Sequence, residues 1–165
     1  MDLKKLAAAL IPDNDLLPPE SYEEIYPERA RAPKAEVTRL APSPTGFIHL
    51  GNLYSALADE RSAHTTGGIF YLRIEDTDEK RRVDGAVESV IRSLNYFGIN
   101  FDEGAEIDFP LNKYGPYYQR RRAEIYRAFA KRLIERGLAY PCFCTEEELN
   151  AVREEQTAGK KTTGY

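Results

Sequence analysis

Residues 39–52 read RLAPSPTGFIHLGN, and this run predicts a strand, a tight loop and the start of a helix in that order. The stretch Val37–Leu40 is short and β-prone, while the prolines and glycine of residues 41–46 interrupt regular structure directly after it. Beyond the loop, apolar residues recur at helical spacing and predict one apolar helix face, formed by Leu50, Leu53, Tyr54, Leu57 and Ala58.

The start of this helix is suited to binding an anion. The first amide N–H groups of a helix have no internal partner and carry partial positive charge, so a phosphate fits near His49 and Gly51. Gly51 has no Cβ and would let a flat ring or a sugar approach the backbone. His49 can donate to a phosphate oxygen in either protonation state. The alternative is a proline-rich turn whose histidine only caps the helix.

A second run, IFYLRIEDTD at residues 69–78, predicts a strand that ends in carboxylates. In an open α/β sheet, ligands bind at the carboxyl edge of the strands, which is where Glu75 is expected as the last strand residue. Asp76 or Asp78 is expected to cap the helix that follows. That helix is marked by apolar residues and closed by a glycine, namely Val83, Val87, Val90, Ile91, Leu94, Phe97 and Gly98.

Both runs resemble signatures of one family. His49-Leu-Gly-Asn52 resembles the His-Ile-Gly-His element of class I aminoacyl-tRNA synthetases, and residues 41–46, APSPTG, are similar to its glutamyl-tRNA synthetase version. Residues 73–78, RIEDTD, resemble the corresponding motif of the same family. The resemblance covers residues 37–165. It implies an α/β fold, the first half of a Rossmann-like parallel sheet with helices on both faces, followed by the start of an inserted α+β subdomain.

The resemblance also implies a reaction. The enzyme would join glutamate to ATP, with Mg, as a glutamyl-adenylate and pass the glutamyl group to tRNA. By this resemblance Thr45 and His49 are the catalytic residues, and ATP is bound by Thr45, His49, Gly51 and Asn52. Glutamate would be bound by Arg39, Ser43 and Glu75, with the carboxylate of Glu75 on the substrate ammonium group.

The next helix is predicted after YGPYYQ at residues 114–119, with two apolar rows that we expect in the core. These rows are Ile125, Phe129, Leu133 and Tyr126, Ala130, Ile134. Seven basic residues in the same segment allow two interpretations, a phosphate-tracking patch or a solvated face with Glu124 and Arg127 paired. The basic residues are Arg120, Arg121, Arg122, Arg127, Lys131, Arg132 and Arg136.

Residues 139–145, AYPCFCT, predict a strand, followed by an acidic helix from Glu146 to about Glu155. Cys142 and Cys144 would point to opposite faces of that strand, so a disulfide between them is geometrically poor. Two buried thiols are the simpler expectation. The alternative is half of a zinc site, which the resemblance implies would need later Cys or His ligands. No Cys follows Cys144, and no His follows His64.

Proline and motif positions divide the chain into three parts. Residues 1–35 are expected to form a helical leader, residues 36–110 the Rossmann-like nucleotide-binding half, and residues 111–165 the start of an inserted acceptor-binding and zinc subdomain. The second ATP-gripping loop of the family, Lys-Met-Ser-Lys-Ser, has no counterpart in the sequence. We therefore expect an amino-terminal fragment that is inactive alone.

Composition fits a cytoplasmic, monomeric protein that does not enter membranes. The chain has 165 residues, of which 42% are apolar, and a net charge of −4. No apolar run approaches the roughly 20 residues of a membrane span, and there is no secretory signal. The net charge argues against a surface generally coated by nucleic acid, but not against a local basic groove for tRNA.

Two alternatives remain open from the sequence. One is the shorter synthetase paralogue that glutamylates queuosine in a tRNA and shares the Arg-Ile-Glu-Asp signature. The other is a non-catalytic, zinc-bound tRNA-binding module. Glutaminyl synthetases fit less well, because their signatures usually read Pro-Glu-Pro-Asn-Gly and Phe-Asp-Asp-Thr-Asn.

Overall fold

The structure is a computed structural model that describes residues 2–13, 16–105 and 113–164. A three-stranded parallel sheet in the order β1-β2-β3 forms its centre, and helices flank it. The elements in chain order are α1 (Leu3–Leu10), α2 (Pro19–Ile25), β1 (Val37–Leu40), α3 (Leu50–Thr65), β2 (Ile69–Leu72), α4 (Ala86–Tyr96), β3 (Glu103–Gly104), a 3-10 turn (Arg120–Arg122), α5 (Ala123–Glu135) and α6 (Glu146–Ala158). The predicted α/β class with a parallel sheet is confirmed.

The register of the sheet sets the edge at which β1 and β2 end together. Val37 pairs with Ile69 and Leu40 with Leu72, so both strands finish at the same level. Helix α3 connects β1 to β2 and α4 connects β2 to β3, as parallel strands require. Among the described residues, no helix is both long and apolar enough to cross a membrane.

The core lies between the sheet and helices α3 and α4. Phe70 and Leu72 project from β2 and pack with Ala56 and Ala63 of α3 and with Leu94 of α4. These five side chains are fully buried. The alanine side chains on the inner side of α3 are small, so the helix can lie close to the sheet and the core between them is densely packed.

The apolar face predicted for α3 is wrong. Leu50 is 78% exposed and Tyr54 74% exposed, whereas Ala56, Glu60 and Ala63 are buried. Of the predicted face, only Leu53 packs partly against the core. The helix turns its alanine stripe toward the sheet, so the row of larger side chains faces outward.

A polar cluster connects the end of α3 to the start of β2 and to the residue before β3. The imidazole of His64 lies between two carboxylates, with Nδ1 3.3 Å from Glu60 Oε1 and Nε2 3.0 Å from Asp102 Oδ2. The same Asp102 oxygen accepts the backbone N–H of Phe70 at 2.8 Å. The start of β2 is thereby held beside the last turns of α3.

Helix α4 begins later than the apolar pattern predicted, and its cap differs. It starts at Ala86, after Gly85 in the left-handed region at φ 76°, and no side chain caps it. Asp76 instead accepts the backbone N–H of Arg120 at 2.9 Å, and Asp78 that of Arg81 at 3.1 Å. The predicted capping role of either aspartate is therefore wrong.

The rows predicted as core on α5 are also mostly wrong. Phe129 is 45% exposed and Leu133 42% exposed, while the buried stripe consists of Ala128, Lys131 and Ile134. Helix α5 packs against α1 and α2, so only the stripe that faces them is covered. The Phe129 ring lies near the Tyr22 ring of α2, with 6.3 Å between the two ring centres.

Residues 139–145 form no strand, which corrects the prediction for the Cys-x-Cys segment. The helix predicted after it is present as α6, starting at Glu146 as expected and ending at Ala158. Thr145 caps this helix by accepting the N–H of Glu148 at 3.2 Å, and the Glu148 carboxylate accepts the N–H of Thr145 at 2.8 Å. This reciprocal capping box accounts for the start of α6 at Glu146.

The leader contains the two helical segments expected from its prolines, α1 and α2, and both lie against α5. Lys131 forms an ion pair with Asp13, and Arg132 lies 2.8 Å from Glu20. The domain boundary predicted at residues 110 and 111 falls outside the described residues. The division into three domains stays a prediction.

We expect Phe70→Ala to lower the free energy of unfolding by about 3–5 kcal/mol, because it empties a fully buried site between sheet and helices. Phe97→Ala is the matched control, since Phe97 is 57% exposed, and it should cost less than about 1 kcal/mol. Urea denaturation of the 165-residue chain measures both values. Equal costs would contradict the assignment of the core.

Candidate active site

The loop after β1 continues the pairing of the sheet beyond the strands. Arg73 N–H donates to the carbonyl of Leu40, and Glu75 N–H donates to the carbonyl of Pro42, both at 3.0 Å. The carbonyl of Pro44 accepts the N–H of Val83 at 2.8 Å. Residues 41–44 are thus attached to the carboxyl side of β2 and to the segment before α4.

This pairing brings Arg39 and Glu75 together. Arg39 Nη1 lies 3.4 Å from Glu75 Oε1, and the two side chains are 43% and 33% exposed. Glu75 lies beyond β2, which ends at Leu72, and not on its last residue as predicted. A partly exposed ion pair at this distance contributes little to stability, so both groups remain accessible to a charged ligand.

Helix α3 contributes an acidic neighbour to the same region. Burial raises the pKa of the Asp59 carboxyl, and the positive charge of Arg39 partly opposes that rise. The hydroxyl of Thr38 donates to the backbone carbonyl of Asp59 at 2.7 Å, which fixes α3 against β1. Arg39 therefore interacts electrostatically with a carboxylate of α3 as well as with the carboxylate of Glu75.

His49 and Asn52 shape the start of α3. His49 is the N-cap residue, and its backbone N–H donates to Asn52 Oδ1 at 3.4 Å. A Cβ on Gly51 would lie 3.1 Å from Cε1 and Nδ1 of the His49 ring. The absence of a side chain at Gly51 therefore makes room for the imidazole itself.

Two hydroxyl groups in the loop are available to a ligand. Ser43 is exposed and Thr45 is half-buried. Neither side chain forms a hydrogen bond within the part of the chain that the structure describes. Loop 41–46, the start of α3 and the Arg39–Glu75 pair thus belong to the carboxyl edge of the sheet, as the sequence predicted.

Two sets of hydrogen bonds in this region were not predicted from the sequence. Arg73 donates from Nη2 to the hydroxyl of Tyr126 at 2.8 Å, and its buried Nε has no hydrogen-bond partner among the described residues. Backbone groups of Tyr117 and Gln119 pair with Ile74 on the other side of the segment that leads to Glu75. Sequence carries no local signal for either contact, because the partners are far apart along the chain.

A cavity of mixed charge lies beside the loop. Its volume is about 690 Å³, and it is bordered by Pro44 and by six charged residues, namely Asp76, Arg82, Asp84, Glu88, Arg120 and Arg121. Arg120 is paired with Glu79, and the Arg121 guanidinium lies 4.6 Å from the centre of the Tyr118 ring.

The basic face of α5 contains the ion pair expected for a solvated surface. Arg127 lies 3.1 Å from Glu124, and both side chains are largely exposed. The pairing that the sequence predicted is confirmed. Binding of nucleic-acid phosphates by the other basic residues stays a prediction.

The cysteines do not match the sequence interpretation of buried thiols. Cys142 and Cys144 are both exposed, and they do not form a disulfide. The described residues contain no cluster of three or more Cys, His, Asp or Glu side chains able to hold a metal ion. Two thiolates provide half of a tetrahedral zinc shell, so the donor set described in this chain does not fit a closed zinc site.

Comparison with known proteins defines the class. Residues 36–164 match the family described as tRNA synthetases class I (E and Q), catalytic domain. This match includes most of the chain, both signature runs and the whole sheet. The chain belongs to this family of class I synthetases.

Within the family, the similarity is to glutamate–tRNA ligases. The chain is 58% identical to the ligase of Acetivibrio thermocellus, over 100% of this chain and 30% of the relative. It is 52% identical to the ligase of Clostridium perfringens strain 13, over 99% of this chain and 30% of the relative. The chain therefore spans about 30% of the length of these curated relatives.

A solved structure supports the same fold. The crystal structure of a glutamate tRNA ligase from Elizabethkingia meningosepticum in complex with its amino acid gives a TM-score of 0.69 at 39% identity. The likeness covers 79% of this chain and 26% of that one. The synthetase-type sheet expected from the two signatures is thus confirmed.

We expect the purified chain to retain well below one zinc per monomer after gel filtration, because two thiolates leave half the coordination shell to solvent. Elemental analysis measures the content, and the double variant Cys142→Ser/Cys144→Ser is the control. The variant should unfold at the same temperature as the unsubstituted chain, with or without added zinc. One zinc per monomer that disappears in the variant would show that other ligands complete the site.

Proposed function

We propose that this chain forms the glutamate- and ATP-binding part of a glutamate–tRNA ligase. The observation that carries the proposal is the Arg39–Glu75 pair at the sheet edge, beside a loop and a helix start suited to phosphate. Family membership and the similarity to glutamate–tRNA ligases support it.

The charges of the pair complement those of an amino acid. A guanidinium group binds a carboxylate through two parallel hydrogen bonds, and a carboxylate accepts from an ammonium group. In the proposal, Arg39 binds a carboxylate of glutamate and Glu75 binds its ammonium group. Ser43 adds a hydroxyl from the loop. When glutamate binds, the partly exposed ion pair between Arg39 and Glu75 would be replaced by two contacts, one from each of these side chains to glutamate.

The start of α3 is assigned to ATP. The first N–H groups of the helix and the His49 imidazole would donate to phosphate oxygens, with Thr45 contributing from the loop. Asn52 fixes the backbone of His49, and Gly51 provides the space in which the imidazole lies. Magnesium would accompany ATP as the counter-ion of its phosphates.

The reaction needs alignment more than side-chain chemistry. A carboxylate oxygen of glutamate attacks the α-phosphate of ATP, and the bond to the leaving pyrophosphate breaks. The adenylate then transfers its glutamyl group to the terminal adenosine of tRNA and releases AMP. Holding the two substrates in line and stabilising negative charge on the phosphates, here by His49 and Thr45, accounts for catalysis of this kind.

Transfer RNA is the proposed macromolecular partner. The cavity next to Pro44 has three arginines, Arg82, Arg120 and Arg121, as candidate contacts for phosphates, although Asp76, Asp84 and Glu88 also line it. We place the protein in the cytoplasm as a monomer.

The relatives favour the ligase over the alternatives drawn from the sequence. The two relatives described above are glutamate–tRNA ligases, at 58% and 52% identity over nearly the whole chain. The exposed cysteines have no closed metal donor set among residues 2–13, 16–105 and 113–164, so the structure adds no support for a zinc-bound module. The charging of tRNA with glutamate by the full-length enzyme, compared with glutamylation of queuosine, is the direct test.

Glu75→Gln in the full-length enzyme should weaken the use of glutamate by about 1.5–3 kcal/mol in kcat/KM, the range for a hydrogen bond to a charged group. The KM for ATP should scarcely change. Glu124→Gln is the control, because it removes the same charge from an exposed pair on α5. Equal losses for glutamate and ATP would indicate that Glu75 acts structurally.

Gly51→Ala should separate stability from ATP use. Alanine favours a helix over glycine by up to about 1 kcal/mol, so the melting temperature should hold or rise. The added methyl group displaces the His49 ring, so the KM for ATP should increase. Gly46→Ala, whose methyl group meets no atom within 4 Å, should change ATP use less. An unchanged KM in Gly51→Ala would remove His49 from the ATP site.

A further inference from the structure

Residues 16–35 carry contacts that the family match does not include. That match begins at residue 36, whereas the alignment with the Acetivibrio thermocellus ligase covers the entire chain. Two described side-chain contacts of this segment reach α5, those of Glu20 and Tyr22, whereas one arginine reaches the sheet. This arginine, Arg29, lies between the end of α2 and the start of β1.

Arg29 forms a bidentate ion pair with Glu103 of β3. Its Nη2 lies 2.6 Å from Glu103 Oε2, and Nη1 contacts Oε1. The side chains are only 16% and 11% exposed. The guanidinium also lies 3.7 Å from the centre of the Tyr114 ring. The pair is therefore largely removed from solvent, unlike the Arg39–Glu75 pair.

Tyr117 is the third member of this cluster. Its hydroxyl donates to Glu103 Oε2, and Arg29 Nη2 lies 3.4 Å from the same hydroxyl. Burial and the bond to Glu103 raise the pKa of Tyr117 well above its usual range. The bond to Glu103 likewise raises the pKa of Arg29. Tyr117 therefore stays a neutral hydroxyl donor to Glu103.

The backbone of Tyr117 connects the cluster to the candidate site. Its carbonyl accepts the N–H of Ile74 at 2.8 Å, and the Ile74 carbonyl accepts the N–H of Gln119 at 2.9 Å. Ile74 directly precedes Glu75, whose own N–H is held by Pro42. The segment that carries Glu75 is therefore held from two sides, by the loop after β1 and by residues 117–119.

We propose that Arg29 is a positioning residue for Glu75, acting through Glu103 and Tyr117 on the backbone of Ile74. The leader thereby contributes to the glutamate site without touching it. The contact of Glu20 with Arg132 fastens the leader to α5 and does not meet this network. The part of the proposal that concerns glutamate rests on the proposed function, and the part that concerns Ile74 does not.

Amide hydrogen exchange in the 165-residue chain, followed by NMR, tests the positioning step directly. Arg29→Ala should accelerate exchange of the Ile74 and Gln119 amides about tenfold relative to that of Leu94 in α4, because local opening at residues 117–119 becomes easier. Arg132→Ala is the matched control. It removes another arginine that binds the leader, and it should leave the exchange of Ile74 and Gln119 unchanged.

Two further variants keep the test decisive if Arg29→Ala fails to fold. Arg29→Lys retains the charge and should give a smaller acceleration. Tyr117→Phe retains the ring, removes the hydroxyl from Glu103 and should accelerate the same two amides. Exchange at Ile74 and Gln119 that stays unchanged, or that rises only in step with Leu94, would overturn the proposal.

Activity of the full-length enzyme provides the second readout. Arg29→Ala should raise the KM for glutamate about tenfold with the KM for ATP unchanged, and Arg29→Lys should restore part of the loss. A wild-type enzyme that does not charge tRNA with glutamate would refute the proposed function, while the exchange data would still decide the role of Arg29. Equal effects of Arg29→Ala and Arg132→Ala on glutamate would contradict positioning.

Discussion

The parallel backbone pairing between β1 and β2, continued into the loop that follows β1, is the interaction on which the candidate site depends. It places Leu40 beside Leu72 and then extends through the Arg73–Leu40 and Glu75–Pro42 hydrogen bonds. Because these bonds lie in the backbone, they set the distance between the two segments whatever their side chains bind. Arg39 and Glu75 can therefore face each other without having to hold the fold together.

The prolines of the loop take part in this pairing. Proline has no N–H to donate, but its carbonyl remains a full acceptor. Pro42 accepts from Glu75 and Pro44 accepts from Val83, so the loop is bonded to two neighbours through acceptors alone. The arrangement holds the loop at the sheet edge, where the prolines interrupt the regular strand. It also leaves the hydroxyls of Ser43 and Thr45 available.

Local signals were predictable from the sequence, and long-range ones were not. The strand Val37–Leu40 and the start of α6 at Glu146 were predicted from a β-prone run and an acidic segment, and the structure confirms both. The sheet-edge rule also predicted that Glu75 would lie at the carboxyl edge of the sheet, but its pairing with Arg39 was not predicted. Periodicity failed for α3 and α5, because it identifies a row of apolar residues but not the neighbour that covers it. Pairing of Arg29 with Glu103 joins positions 74 residues apart, for which the sequence has no local pattern.

The chain uses the same chemistry, an arginine with a glutamate, for two different purposes that solvent exposure distinguishes. Arg39 and Glu75 are 43% and 33% exposed, so water screens their attraction and separating them costs little. Arg29 and Glu103 are 16% and 11% exposed, and removal of either partner would leave a buried charge uncompensated. The first pair is thus suited to exchange its partner for a ligand with two opposite charges. The Arg29–Glu103 pair is suited to fixing the backbone of the segment that carries Glu75 while a ligand binds to Arg39 and Glu75.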